Sequence, residues 1–284
     1  MSPSMAAVGA GIRRGGIELR QTLTNAQDMW NYVFLPTVLL VVMYFLRGHK
    51  VPGTDFSLGA MSIPSVIGMQ VAFGGLVILA TVLIIEREDG TLLRAKATPN
   101  GMLGYLVGKV LTVSGMSLVS LAIVLVPGAF LFEGMRLDSL ASWSTLAWVL
   151  LLGLVATIPV GAVIGSLLPG PRSLGFVMVP TMGLVATSGI FYPITGFPVW
   201  LQWIAQVFPI YWLSLGMRSA LLPGSMAAAE IGGSWRHLET IGVLGLWAVA
   251  GLILAPIVLR RMARRESGSS VAGRREKAMQ RNPF

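Results

Sequence analysis

Six long stretches of this chain contain no charged residue, and they constrain its fold more than any other feature. The hydrocarbon core of a bilayer is roughly 30 Å thick and a helix rises about 1.5 Å per residue, so one crossing needs about 20 residues with almost no charge. All 21 Lys and Arg residues and all 12 Asp and Glu residues lie outside these stretches. The six stretches are 29–46, 56–85, 110–132, 139–171, 173–217 and 240–259. They predict an all-α integral membrane protein.

The composition agrees with this class. Only 12% of the residues are charged, whereas soluble domains carry about 25%. Cysteine is absent, which excludes a disulfide framework and a thiolate metal site. The first residues lack a basic cap followed directly by a short apolar core, so no cleaved signal peptide is expected. The net charge of +9 could suit nucleic acid, but its distribution follows membrane topology, and no nucleic-acid partner is predicted.

Residues 1–28 are predicted to form an amphipathic helix that lies on the membrane surface. Arginines on one side would face lipid phosphates, and the Gly15-Gly16 pair weakens the pattern. The apolar stripe on the other side consists of Val8, Ile12, Leu19 and Leu23. The alternative is a disordered basic leader.

Residues 29–259 are predicted to form six transmembrane helices. The charge-free stretch 173–217 is long enough for two crossings, but Gly and Pro residues break its second part, where Trp and Tyr residues suit the membrane boundary. One full crossing at about 174–190 is therefore expected. An outer segment at about 192–224 would follow, with two short re-entrant helices whose free backbone groups must be covered by protein.

Small residues repeat every four positions in the fourth predicted crossing. Thr157, Gly161 and Gly165 allow the backbone of another helix to come close. The partner helix is expected within the same chain, with a subunit interface as the alternative.

The basic residues predict which side of the membrane holds the termini. Sixteen Lys and Arg residues fall on the side of the termini and five on the other side. The positive-inside rule therefore predicts that both termini and the loop 86–99 are cytoplasmic. The protein itself is expected in the plasma membrane. The basic cytoplasmic tail, 260–284, is expected to anchor on anionic membrane lipids.

The cytoplasmic segment 86–99, EREDGTLLRAKATP, joins the second and third crossings. Thr91 is predicted to cap a short amphipathic helix, and Pro99 is predicted to end it. We expect this helix to dock onto another protein. The alternative is a charged turn that only orients two crossings.

No source of energy for uphill transport is visible in the sequence. Ion-coupled carriers usually hold ionisable side chains within the membrane. The predicted crossings contain no Lys, Arg, Asp or Glu, and both histidines, His49 and His237, fall in predicted outer loops. The nearest match to a phosphate-binding loop, GYLVGKV at 104–110, has the wrong spacing and lacks Ser or Thr after Lys109. The chain is therefore predicted not to be an enzyme, and driving energy would come from a partner.

The segment 86–99, followed by YLVGK at 105–109, resembles the signature of permease subunits of type-2 ATP-binding-cassette exporters, in the branch that includes bacterial drug and antibiotic-resistance exporters. The resemblance implies a coupling helix at about 90–99, seated in a groove of an ATPase subunit that carries ATP and Mg²⁺; this chain would hold no cofactor. It also implies a dimer with a second permease, either a copy or a paralogue. The implied coupling residues are Glu86, Arg87, Glu88, Gly90, Thr91, Leu92, Leu93, Arg94 and Pro99, with Lys109 beside them.

The same resemblance implies that the second and fifth crossings line a substrate path. The residues implied for it are Met69, Gln70, Phe73, Met178, Met182, Thr187 and Ser188. Ordinary helix packing is the alternative for each of them, and an interhelical hydrogen bond is the alternative for Gln70. No catalytic residue and no metal site is predicted.

The function implied is ATP-driven export of a hydrophobic or amphipathic compound, such as a drug, an antibiotic or a lipid-like molecule, by alternating access. An exporter of a glycolipid or polysaccharide is one alternative. A membrane anchor or sensor without transport is another.

Overall fold

A computed structural model describes residues 3–51 and 56–265, and nearly all of their regular structure is helical. The exception is one isolated β-bridge between Lys50 and Ser57. The helices are α1 (Pro3–Thr24), α2 (Ala26–Phe45), α3 (Leu58–Phe73), α4 (Leu79–Glu88), α5 (Thr91–Lys96), α6 (Gly101–Leu131), α7 (Leu140–Leu167), α8 (Gly175–Thr187), α9 (Val199–Val207), α10 (Pro209–Leu221) and α11 (His237–Arg265). A π-helical segment, Gly74–Ile78, joins α3 to α4.

Five helical stretches in the described residues are long and apolar enough to cross a membrane. They are Ala26–Gly48, Leu58–Glu88, Gly101–Leu131, Leu140–Leu167 and His237–Arg264. They correspond to the first four predicted crossings and the sixth. At the fifth, α8 has 13 residues, or roughly 20 Å at about 1.5 Å per residue, which is less than the hydrocarbon thickness. The prediction of six full-length crossings is therefore not confirmed.

Helix α7 lies at the centre of the packing, and its small residues lie against the second crossing. A Cβ atom on Gly161 would overlap the carbonyl oxygen of Gly75, and one on Gly165 would lie 2.8 Å from the Ala80 Cα. Thr157 fills the space above Gly75. These contacts confirm the prediction that the small residues serve packing within the chain.

The outer segment forms two short helices, as predicted. Helix α10 is buried along nearly its whole length and packs on α3 and α7, so protein covers its backbone. A Cβ atom on Gly68 of α3 would lie 2.8 Å from the backbone of Leu213. In contrast, Val199, Trp200 and Trp203 of α9 are exposed, as expected for a helix at a membrane boundary.

Helix α1 runs alongside the first half of α6 and is a well-formed helix, so the alternative of a disordered leader is wrong for residues 3–24. Its packed face includes glycines: Gly11 lies against Gly104, and Gly15 lies against Gly108. Gly15, one of the two glycines that weaken the amphipathic pattern, is therefore part of the contact, whereas Gly16 is exposed. Ile12 and Leu23 of the predicted apolar stripe are exposed, and their contact with lipid stays a prediction.

Helix α11 continues past the predicted end of the sixth crossing. It includes Arg260, Arg261 and Arg264, which were assigned to the basic tail. The rest of that tail, 266–284, lies outside the described residues, as does Asp55 of the first outer loop.

Candidate coupling segment and intramembrane pocket

The turn before α5 is built differently from the prediction. Thr91 is the first helical residue rather than the cap, and Gly90 occupies the cap position with φ of 81°. This left-handed conformation favours glycine because it has no Cβ. The Asp89 carboxylate accepts a hydrogen bond of 2.7 Å from the Thr91 backbone N–H. The helix ends at Lys96, and the chain reaches Pro99 after a short turn.

An ion-pair cluster joins three elements beside this turn. Lys109 Nζ lies 2.5 Å from Glu86 Oε1 and 2.7 Å from Glu18 Oε2. Arg14 Nε lies 2.8 Å from the other Glu18 oxygen, Oε1. Lys109 is buried, and a buried charge is stable only when it is paired. The cluster therefore ties α1 and α6 to the base of the second crossing.

The electrostatics of the cluster keep Glu18 ionised. Burial by itself raises the pKa of the Glu18 carboxyl, but hydrogen bonds from Lys109 and Arg14 outweigh that effect and leave the pKa below its usual value. Two cations and two carboxylates, Glu18 and Glu86, therefore balance in charge.

Two further charged residues of the predicted coupling segment, Arg87 and Glu88, also contact the membrane domain. Arg87 is buried and donates a hydrogen bond to the carbonyl of Leu168, just after the end of α7. A cation is favourable there because of the unpaired carbonyls and the helix dipole. The Glu88 carboxylate lies against Gly170, where a Cβ would be 3.1 Å from its Oε1. These residues fix the segment to the membrane domain.

Helix α5 itself has a buried side and an exposed side. Leu92 is buried in the core, whereas Arg94 and Lys96 are exposed. The exposed side borders a groove of about 690 Å³ between α1 and the segment. Residues lining the groove include Ala7, Gly11, Arg14, Thr91, Arg94, Thr98 and Pro99. This surface is basic and open to a partner.

The predicted pathway residues do not form one site. Gln70 and Phe73 line a small cavity, and Met69 is buried beside them in α3. Met178 and Met182 are exposed on α8.

The polar side chains among the predicted pathway residues differ in their hydrogen bonds. Thr187 and Ser188 donate hydrogen bonds to carbonyls of their own helix, at Gly183 and Val185. For the Gln70 side chain, no hydrogen bond to another helix occurs among the described residues, and both interpretations of Gln70 stay predictions.

A buried ion pair that no sequence pattern predicted links α10 to the segment that follows it. Arg218 is fully buried, and its Nε lies 2.8 Å from Glu230 Oε1. Its guanidinium also donates hydrogen bonds to Ser65 Oγ at 2.7 Å and to the Gly189 carbonyl at 2.9 Å. Arg218 is one of the five cations predicted on the side opposite the termini, because the charge-free stretch ends at Met217. A single charge in an apolar helix, with Glu230 following, is the signal that could have found the pair.

The family model described as "ABC-2 family transporter protein" matches residues 24–257. The match includes all five candidate spans almost completely, the α5 segment and the two short outer helices. No curated protein matches the chain. Within the described residues, no group of three or more His, Asp or Glu side chains could hold a metal ion.

Proposed function

The chain belongs to the ABC-2 transporter family, and on that premise we propose that it exports a hydrophobic or amphipathic compound by alternating access. It is the membrane permease of an ABC transporter and carries no ATPase motif. Permeases of this family pair with nucleotide-binding subunits, on which ATP binds. The cargo we propose is a drug, an antibiotic or a lipid-like molecule.

One observation carries this proposal: α5 is packed against the membrane domain on one side and exposed on its other side. Leu92 is buried, and Glu86 and Arg87 are held by Lys109 and by the end of α7. The exposed side presents Arg94 and Lys96. A charged turn that only orients two crossings has no need of such a braced helix with an open basic face.

Close contacts between the helices that follow and precede α5 in the membrane domain could transmit a displacement of α5. Helix α4 packs on α7 where Ala80 meets Gly165, and α3 packs on α10 where Gly68 meets Leu213. Interiors packed this closely transmit displacement. We propose that closure of two ATPase subunits pushes α5 and tilts α3, α4, α7 and α10 together, which opens the path outward.

The proposed topology has six crossings with both termini in the cytoplasm. Helix α8, together with the 3₁₀ turn Pro171–Leu174 before it, would be the fifth crossing. The distribution of basic residues supports an even number of crossings. Exposed apolar side chains on α8, among them Phe176 and Val179, support a contact with a second permease, a copy or a paralogue.

Co-purification tests the proposed function. The full chain, solubilised in detergent, should carry a soluble ATPase with it, and transport of an apolar dye from vesicles should require ATP. A sensor or anchor without transport needs no ATPase, so isolation of the permease alone from cells that express its neighbouring genes would contradict the proposal.

A further inference from the structure

A cavity of about 90 Å³ lies inside the subunit, between α2, the second crossing and α6. These elements belong to three of the candidate spans. The lining residues that carry polar groups are Tyr32, Gln70, Ser117 and Ser120. Leu35 of α2 also lines the cavity and is exposed on the outer surface of the helix bundle. The cavity is therefore next to the surface that would face lipid.

Two departures from regular helix make this space. The second crossing becomes π-helical at Gly74–Ile78, and both end residues of that segment line the cavity. Such segments are rare and occur often at functional sites because they widen a helix locally. Gly74 has no side chain, and a Cβ there would lie 3.1 Å from Ser117 Oγ. Pro36 within α2 lines the opposite wall.

The hydroxyl of Ser117 has no hydrogen-bond partner among the described residues, although the residue is only 4% exposed. Two other hydroxyls of the candidate spans differ from it: those of Thr81 and Ser166 donate to the carbonyls four residues earlier, at 2.8 and 2.6 Å. A buried polar group without a partner is costly, most of all in a membrane. The Ser117 hydroxyl is therefore available to a ligand.

The uncharged, partly polar lining of the cavity indicates which kind of ligand it can bind. None of its lining residues is charged, so it offers no counter-ion for a cation or an anion. The Gln70 amide can both donate and accept, and serine hydroxyls can do the same. The other walls are apolar, with Phe73, Ile78 and Met116 among them. At about 30 Å³ per water molecule, the volume holds about three waters or a polar group of similar size.

We propose that this pocket binds the uncharged hydrogen-bonding head, a hydroxyl or an amide, of an apolar molecule dissolved in the membrane. The apolar tail would lie along α2 toward the lipid. The site lies within one subunit and needs no second permease. Binding is a property of the permease alone, whereas the role of this site in loading cargo rests on the proposed export function.

Photolabelling tests the proposal on the full-length permease in nanodiscs, without an ATPase. The probe is a photoreactive derivative of dodecanol, and the competitors are dodecanol and dodecylamine, which is charged at pH 7. Mass spectrometry should find the label on peptides of α2, α3 and α6 around Leu35, Phe73 and Met116. Dodecanol should compete at least tenfold better than dodecylamine.

Matched variants locate the polar contact. Ser117→Ala and Gln70→Leu should each lower labelling about fivefold, which is about 1 kcal/mol for one hydrogen bond at 1.4 kcal/mol per tenfold change. The control, Ser166→Ala, removes a buried hydroxyl that is already bonded within its own helix, and it should leave labelling unchanged. Thermal unfolding of each variant separates loss of binding from loss of fold.

Three results would overturn the proposal: equal labelling of wild type and Ser117→Ala, equal competition by dodecylamine, or label spread evenly over lipid-facing helices. The first would mean that the cavity holds water only. Photolabelling tests the pocket, and co-purification with an ATPase tests the proposed function. Neither result depends on the other, so the two proposals can fail separately.

Discussion

Lys109 Nζ lies 2.5 Å from Glu86 Oε1, and this contact joins α6 to the last turn of the second crossing, shortly before α5. Glu18 of α1 lies on the same ammonium group at 2.7 Å. A single lysine thus connects the helix that lines the groove, the base of the second crossing and the third crossing. The position of α5 depends on this connection.

Replacement of Lys109 by Met should loosen the base of the membrane domain. It leaves Glu18 and Glu86 without their shared cation, and loss of one partner of a buried pair costs about 3 kcal/mol. Thermal unfolding in detergent measures the effect. The matched control is Glu239→Gln, which removes an exposed ion pair with Arg236 and should cost less than about 1 kcal/mol. Equal effects of the two variants would contradict the bracing role of Lys109.

Lowering the pH should weaken the attachment of α1 to α6. The pKa of Glu18 is below its usual value, so its contribution is complete above the unfolded-state pKa, about 4.3, and is lost as the pH falls through the lower folded-state pKa. Thermal midpoints of wild type and Glu18→Gln, measured from neutral pH down to about pH 3, should differ most at neutral pH and converge in acid. A constant difference would show that the ion pairs of Glu18 contribute nothing.

Gly161→Ala should destabilise the protein by about 2–3 kcal/mol, because the added methyl group overlaps the Gly75 carbonyl in a closely packed contact. Gly183→Ala is its control: a Cβ added at that position on α8 would meet no neighbouring element within 4 Å, so the change should stay within about 1 kcal/mol or favour the helix. Chemical denaturation in mixed micelles compares the two. A harmless Gly161→Ala would mean that α7 and the second crossing are not in close contact.

The buried pair Arg218–Glu230 should show strong coupling. Arg218→Met alone leaves Glu230 buried without its partner and should cost about 3–5 kcal/mol, whereas Arg218→Met combined with Glu230→Leu should recover most of the loss. The free energies of unfolding of the two single variants and the double variant measure the coupling. Additive losses would show that the two side chains do not interact.

Some of this molecule follows from local sequence. Charge-free stretches predict the long helices because a charge in the hydrocarbon core is costly whatever the rest of the fold. The helix between Gly90 and Pro99 is also predictable from local sequence, because a helix-breaking residue lies on each side of it.

Other features depend on residues far apart in the chain. Gly90 rather than Thr91 occupies the cap position because the backbone at Gly90 has a positive φ. The contact of Gly11 with Gly104 and the cavity beside Gly74 depend on how distant helices meet, which no local pattern reports. Arg218 is a further example: its burial is decided by Glu230, Ser65 and Gly189, and each of these comes from a different part of the chain.

The central claim is that α5 receives force from an ATPase through its exposed face, and site-specific cross-linking tests it most directly. The natural chain contains no cysteine, so Arg94→Cys carries a single thiol to which a photoreactive group can be attached. The control is Arg47→Cys, an exposed position on the predicted outer side. In the purified permease–ATPase complex, irradiation should join the ATPase to position 94 and not to position 47. An ATPase cross-linked from position 47, or a complex in which position 94 stays unattached, would contradict the account.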